Sequence, residues 1–280
     1  MKQIKNILVP TDFSVTARNA FHYAEHLAER FGSTITVVHV NEFFLPVSEV
    51  YVAPLLVNEE EDLKQAMNTF INEEYETSNT LVKKKIKTKV LEGNIMQRIV
   101  ELTESGEFDF VIMGSTGLQD FISKIIGSTS LYVAKHAHCP VLLVPRDAHW
   151  HPVEKILFAS NSVSTSHQIA PAIKSITEKF GAEIHFIYVD EGQHQNEKVT
   201  DAVWVELFAN KDPKFSFQIH TIKNSDAVRG LNDYAHKNHI DWSVFVSSHR
   251  TFWQKLIQRS VTERYSLASD KPTLVMHLDN

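Results

Sequence analysis

Gly114 and Gly117 follow the apolar run Phe110-Val111-Ile112-Met113, and Gly127 precedes Ser128, Thr129 and Ser130, so the segment reads G-x2-G-x9-G-[ST]. Glycine after a strand can adopt positive φ and lets the backbone approach a ligand closely, so that successive N–H groups face phosphate oxygens. A helix opening at Gly127-Ser128 would add unpaired N–H groups, the positive end of its dipole and the hydroxyls of Ser128, Thr129 and Ser130. A cradle of this kind needs no lysine. Neither G-x-x-x-x-G-K-[ST] nor G-x-G-x-x-G occurs in the chain, which argues against a Walker-type NTPase and a dinucleotide dehydrogenase. The pattern alone leaves a second reading open, in which the three glycines are turn residues.

A cradle must be held by a scaffold. Short β-branched runs at residues 4–10, 34–40, 84–91, 109–113 and 140–145 alternate with longer segments of helical period, which predicts an α/β fold with a five-stranded parallel sheet. Segment 14–31 places Ala17, Ala20, Phe21, Ala24, Leu27, Ala28 and Phe31 on one helical face, with Ser14 as N-cap and Gly32 as the stop. Sheets of this class bind ligands outside the carboxyl ends of their strands, where the strand order reverses. Pro10-Thr11-Asp12, at the end of the first strand, would reach the same edge as the glycine motif. Asp12 is either a ligand-facing acid or a capping residue for the helix that follows.

The chain also repeats itself. Ile7-Leu8-Val9-Pro10 is echoed by Ile156-Leu157-Phe158-Ala159, Phe31-Gly32 by Phe180-Gly181, and Val38-His39-Val40 by Ile187-Tyr188-Val189, all at one offset of 149 positions. Further on the offset is 132, pairing Asp109 with Asp241, Ser128 with Ser260, and Pro140-Val141-Leu142-Leu143 with Pro272-Thr273-Leu274-Val275. This is duplication of a whole domain, unlike a solenoid with its period of ~20–50 residues. Pro145, Asp147, His149 and Pro152 interrupt the apolar pattern near Arg146–Pro152, so the expected domains are residues 1–146 and 153–280.

A formal net charge of -6 with 43% hydrophobic and 22% charged residues describes a globular chain without the basic field a nucleic-acid partner needs. Lys83, Lys84, Lys85, Lys87 and Lys89 are read as the solvated face of a strand. The single cysteine, Cys139, excludes an intrachain disulfide. No apolar run approaches the ~20 residues that span a bilayer, and the first residues leave no room for an export signal, so no membrane partner and a cytoplasmic location are expected. His136, His138 and Cys139 sit at a helix end, where histidine complements the dipole, and no metal is assigned to them. Residues 43–57 are apolar for a connection: they could close over a ligand, form a subunit contact or, the reading slightly favoured, pack on the sheet. Glu59-Glu60-Glu61-Asp62 is expected to open a helix. No Ser-His-Asp order or nucleophile elbow occurs, so no catalytic residue is assigned.

Ile7-Leu8-Val9-Pro10-Thr11-Asp12-Phe13-Ser14, Val38-His39-Val40, Met113-Gly114-Ser115-Thr116-Gly117, Gly127-Ser128-Thr129 and Pro140-Val141-Leu142-Leu143-Val144 together resemble the universal stress protein family, over both halves and more strongly over the first. The resemblance implies two Rossmann-like domains of the adenine-nucleotide alpha-hydrolase type. It implies ATP, with or without Mg2+, in the first domain. Asp12 and the backbone at Val40, with Pro10 and Thr11 nearby, would then recognise adenosine. Gly114, Gly117, Gly127, Ser128 and Thr129 would carry ribose and phosphates, with Met113 lining the base or sugar. Thr129 departs from an aliphatic residue frequent in the family. The family's pairing through the last strand implies an internal pseudo-dimer across Val141–Val144 and Thr273–Met276, and allows a homodimer of such chains.

In the second copy Gly114, Gly117 and Gly127 become Val246, His249 and Arg259, and Asn161 replaces Asp12, so no ATP is expected in residues 153–280. Three functions stay in play: a nucleotide-dependent stress-response regulator, favoured; a slow Mg-dependent ATPase, for which only Asp12 is at hand as a nearby acid; and a scaffold that binds nothing.

Overall fold

The structure is a computed structural model and describes residues 4–42, 59–72, 85–115, 128–159, 176, 178–190, 215–248, 265 and 269–278. The first half runs β1 (Asn6–Pro10), α1 (Val15–Phe31), β2 (Thr34–Asn41), α2 (Glu59–Asn72), β3 (Ile86–Glu92), α3 (Ile95–Glu104), β4 (Phe110–Ser115), α4 (Ser128–His136) and β5 (Val141–Pro145). The second runs β6 (Lys155–Ala159), β7 (Glu183–Asp190), β8 (Phe217–Lys223), α5 (Ala227–Lys237), β9 (Trp242–Ser248) and β10 (Thr273–Leu278). The acidic run from Glu59 opens α2 as expected, and residues 43–57 lie outside the described residues.

The fifteen elements among the described residues organise around one ten-stranded sheet of order β3-β2-β1-β4-β5-β10-β9-β6-β7-β8. Neighbours within each half are parallel. The halves join edge to edge where β5 and β10 pair antiparallel, Leu143 opposite Thr273 and Val141 opposite Val275, on the strands the 132 offset matches. Each half therefore closes the other's exposed edge, leaving β3 and β8 as the outer strands. Lys87 and Lys89 are exposed in β3, but so are Thr88 and Val90. Exposure is therefore not confined to one face: within this outer strand only Ile86 and Leu91 are half-buried, each packed against a different core.

Helix α1 forms where the period puts it. Ser14 Oγ accepts from the Ala17 amide, and Gly32 ends the helix at φ 70°. That left-handed conformation suits glycine, which has no Cβ to clash. Ala17, Ala20, Phe21, Ala24, Leu27 and Ala28 are buried against Ile7 and Val9 of β1, Phe110 and Ile112 of β4, and Leu142 and Val144 of β5. The same cluster continues across the seam to Ile156, Phe158, Ile184, Trp242 and Met276, so one face of the sheet carries a single core for both halves. The other face carries two, one under α3 and α4 and one under α5. Side chains alternate faces along a strand, which is why Leu8 joins the second core and its neighbours Ile7 and Val9 the first.

The connection at 146–152 is strapped to α1. Asn19 Nδ2 donates to the carbonyls of Pro145 and Ala148, at 2.9 and 2.8 Å, and the Tyr23 hydroxyl donates to the His149 carbonyl at 2.8 Å. Trp150 stacks on His26 with ring centres 4.8 Å apart. Arg30, at the far end of the helix, donates to the carbonyls of Lys179 and Phe180 in the second half. The residues that break the apolar pattern do mark a change of direction, and the segment is tied to α1 through Ala148, His149 and Trp150 while Arg146, Asp147, His151 and Pro152 are exposed.

The repeated aspartates have a repeated task. Asp109 Oδ2 accepts from the amides of Lys5 and Asn6, and Asp241 Oδ2 from those of Glu154 and Lys155. Each carboxylate thus ties the start of one strand (β1 or β6) to the residue just before its partner (β4 or β9).

Candidate functional site

Strand order reverses between β1 and β4, and there the ladder is short. Only Ile7 with Phe110 and Leu8 with Val111 are paired, although β1 continues alongside β2 to Pro10 and β4 alongside β5 to Ser115. The Asn6 carbonyl accepts from the Asp109 amide, and the Thr11 amide donates to the Val38 carbonyl. Even-numbered residues of β1 therefore address β4 and odd-numbered ones β2. Pro10 is even-numbered, and the N–H it lacks is the next one β4 would receive. The carboxyl ends of β1 and β4 are left unbridged. In the second half Ala159 stands in place of Pro10 and keeps its N–H, and the equivalent ladder runs on to Ala159 opposite Phe245.

At the end of β1 the chain turns sharply into α1. Thr11 Oγ1 accepts from the Phe13 amide at 2.9 Å, and Asp12 Oδ1 from the Ser14 amide at 3.0 Å. These two bonds hold Phe13 at φ 63°, a conformation that a residue with a bulky side chain rarely adopts. The Phe13 ring is fixed against His39, 4.6 Å between centres, and Phe70 of α2, 6.0 Å. His39 Nδ1 meets the Thr11 carbonyl oxygen at 2.9 Å; since a carbonyl only accepts, that bond requires the Nδ1–H tautomer. Asp12 itself is exposed. The capping reading of Asp12 is corrected: Ser14 caps the helix, and Asp12 steadies the turn before it with one carboxylate oxygen.

The other expected site residues are placed differently from one another. Gly114 lies inside β4 opposite Val144, without positive φ, and is required by packing. A Cβ added there would lie 2.6 Å from Thr16 Cγ2 and 2.8 Å from the Thr16 carbonyl oxygen. The expectation of a left-handed turn glycine is thus corrected at Gly114: the strand runs through it, and its bare backbone admits α1. Met113 and Val40 have their side chains buried in the core under α3 and α4. Their backbones, like buried Pro10 and Thr11, lie at or near the carboxyl edge of the sheet. Ser128 opens α4 and Thr129 is half-buried in its first turn; because α4 returns from the carboxyl end of β4 to β5, its amino end lies at that same edge. Gly117 and Gly127 lie outside the described residues, as do Asn161, His249 and Arg259. Val246, in place of Gly114, packs its side chain against the shared core.

Phe13, Thr16 and His39 were not singled out by residue type. Thr11-x-Phe13 and Asp12-x-Ser14 do carry a signal, the i to i+2 spacing of side-chain-to-backbone turns. Nothing in the sequence signals the contact of His39 with Thr11.

Elsewhere, Cys139 is buried, and burial pushes its thiol up to about 12, which keeps it un-ionised. His136 packs against Tyr132, ring centres 4.3 Å apart and tilted, and burial holds its pKa below the usual value. No group of three or more His, Cys, Asp or Glu side chains that could hold a metal ion occurs among the described residues. In the second half, buried His185 meets the Tyr234 hydroxyl at 2.8 Å through Nδ1 and faces Glu183 Oε2 at 3.5 Å through Nε2. Burial lowers the His185 pKa, while Gln218 Nε2, donating to Glu183 Oε1, is the main cause of that carboxyl's lowered value.

A doubly wound parallel sheet with an unbridged carboxyl edge at its switch point defines a Rossmann-like α/β protein. The model of the Universal stress protein family matches residues 3–145, and the chain belongs to that family. It is 31% identical over 149 residues to a universal stress protein of Methanocaldococcus jannaschii, covering 51% of this chain and 82% of that one. It is 30% identical over 140 residues to one of Thermus aquaticus, covering 50% of this chain and 98% of that one. The crystal structure of a universal stress protein from Archaeoglobus fulgidus matches 98% of this chain and 97% of its own at TM-score 0.72 and 19% identity, a likeness of fold that spans both halves. No helix among the described residues is long and apolar enough to cross a membrane.

Proposed function

We propose that residues 1–146 form a domain that binds ATP, with or without Mg2+, and that the protein acts in the cytoplasm as a nucleotide-dependent regulator of the stress response. The observation that carries this reading is the unbridged end between β1 and β4, where exposed Asp12 and the opening turn of α4 share one edge. Asp12 and the Val40 backbone would hold adenosine near Pro10, Thr11 and Met113. Gly114, Gly117, Gly127, Ser128 and Thr129 would hold ribose and phosphates, the helix end supplying N–H donors and a favourable dipole. Residues 153–280 would form a structural partner domain without ATP, since Ala159 closes the equivalent ladder and Val246 replaces the first glycine. The antiparallel β5–β10 seam is the natural internal pseudo-dimer contact.

The test is the mass of whatever is released on denaturing freshly purified protein, with calorimetric titration of ATP–Mg2+ into the emptied chain. One adenine nucleotide per chain is expected, lost in Gly117→Val and Gly127→Val and kept in His249→Ala and Arg259→Ala. No binding at millimolar ATP would leave only the scaffold. Release of ADP on incubation would make the protein a slow ATPase instead of a binder.

A further inference from the structure

His39 is half-buried at the carboxyl end of β2, on the sheet face it shares with Val37, while Val38 and Val40 turn to the opposite core. The rungs between β1 and β2 alternate, and the last is the Thr11 amide donating to the Val38 carbonyl. In a continuing parallel ladder the next rung would take the Val40 amide to the Thr11 carbonyl. Among the described residues that rung is not formed: the Thr11 carbonyl is held by His39 Nδ1 at 2.9 Å. The same imidazole packs, tilted by 30°, against the Phe13 ring at 4.6 Å, and the left-handed conformation of Phe13 turns the chain beside Asp12. The corresponding position of the second half is Tyr188, which has no ring N–H to offer.

We propose that His39 is a positioning residue for the recognition end of the first half. By capturing the Thr11 carbonyl it ends the β1–β2 ladder one rung early, keeps the Val40 N–H unclaimed by β1, and braces the Phe13 turn that presents Asp12. The inference deepens the nucleotide reading and rests on it for the ligand, while the backbone rearrangement it describes belongs to the ligand-free protein. A hydrophobic side chain at 39 could fill the space against Phe13 but could not hold the carbonyl.

The experiment compares wild type, His39→Ala, His39→Asn and His39→Gln by residue-resolved amide hydrogen exchange without ligand and by ATP titration. Asparagine can place an N–H near the Nδ1 position, and glutamine places it near Nε2. In His39→Ala the Val40 amide is expected to exchange about tenfold more slowly, because the missing rung can form, while the Phe13 and Ser14 amides exchange faster. ATP affinity is expected to fall about five- to tenfold, the scale of one hydrogen bond. His39→Asn should recover both readouts and His39→Gln neither. Unchanged or faster Val40 exchange in His39→Ala, or equal recovery by asparagine and glutamine, would overturn the proposal. If wild type binds no ATP, the nucleotide reading fails by itself, and the exchange pattern still decides the role of His39.

Discussion

Gly114 and Thr16 leave no room for a side chain between them: a Cβ on Gly114 would sit 2.6 Å from Thr16 Cγ2 and 2.8 Å from the Thr16 carbonyl oxygen. A residue that a phosphate cradle would explain is thus also needed to dock α1 on β4. Gly114→Ala should destabilise the ligand-free protein by about 1–3 kcal/mol, the usual cost of overpacking, lowering the thermal midpoint whether or not nucleotide is present. Adding Thr16→Ala should recover only part of this, because the carbonyl contact persists. Full recovery would locate the conflict in the Thr16 methyl alone.

Pro10 ends the β1–β4 ladder for want of an N–H. Pro10→Ala should extend the ladder by one rung, visible as a slowly exchanging amide at position 10. The hydrogen bond contributes about 0.5–1.5 kcal/mol, offset by about 0.4–1 kcal/mol of added freedom in the unfolded chain, so stability should move little. Nucleotide affinity should fall as the edge closes. A rapidly exchanging amide at position 10 would show that the strands part for another reason.

Asp109 and Asp241 each accept two backbone N–H groups. Removing either carboxylate leaves partly exposed donors at a strand start to water, a loss of about 0.5–1.5 kcal/mol per hydrogen bond. Asp109→Ala should speed exchange at Lys5 and Asn6, and Asp241→Ala at Glu154 and Lys155. Loss of protection spread evenly over both halves by either variant would contradict a local clamp.

The His185 pKa is lowered in the fold, chiefly by burial, and that of Glu183 chiefly by the Gln218 hydrogen bond. For a group whose folded pKa is depressed, the unfolded chain binds the proton first, so stability is lost as pH falls. His185 should contribute a loss that begins near its unfolded value of 6.5, and Glu183 a further loss below its unfolded 4.5. His26 and His136 shift the same way. Denaturant midpoints measured from pH 7.5 to 5 should therefore decline, and His185→Gln should make the decline shallower without abolishing it. An unaltered slope would remove His185 from the linkage.

The class of fold was legible because periodicity is a local property. The face of α1 from Ala17 to Phe31, the Ser14 cap and the Gly32 stop follow from spacing along one helix, and the strands from β-branched runs. The duplication was legible for a different reason: Asp109 and Asp241 occupy equivalent positions because each performs the same backbone clamp. At the site, Pro10, Thr11, Asp12 and the opening of α4 could be assigned to one edge because parallel α/β topology sends every strand end there.

The amino-acid sequence by itself thus determined the elements, their repetition and the sheet edge at which a ligand would meet them. Tertiary structure alone decided the reasons. Gly114 is demanded by the carbonyl of a residue 98 positions away, Pro10 matters through the side of the strand on which its missing N–H falls, and His39 acts on Thr11 across two strands. The core shared by both halves is another such outcome. Each depends on distances between residues remote in sequence, which residue type and spacing do not encode, whereas caps and helical faces depend on neighbours a few positions apart.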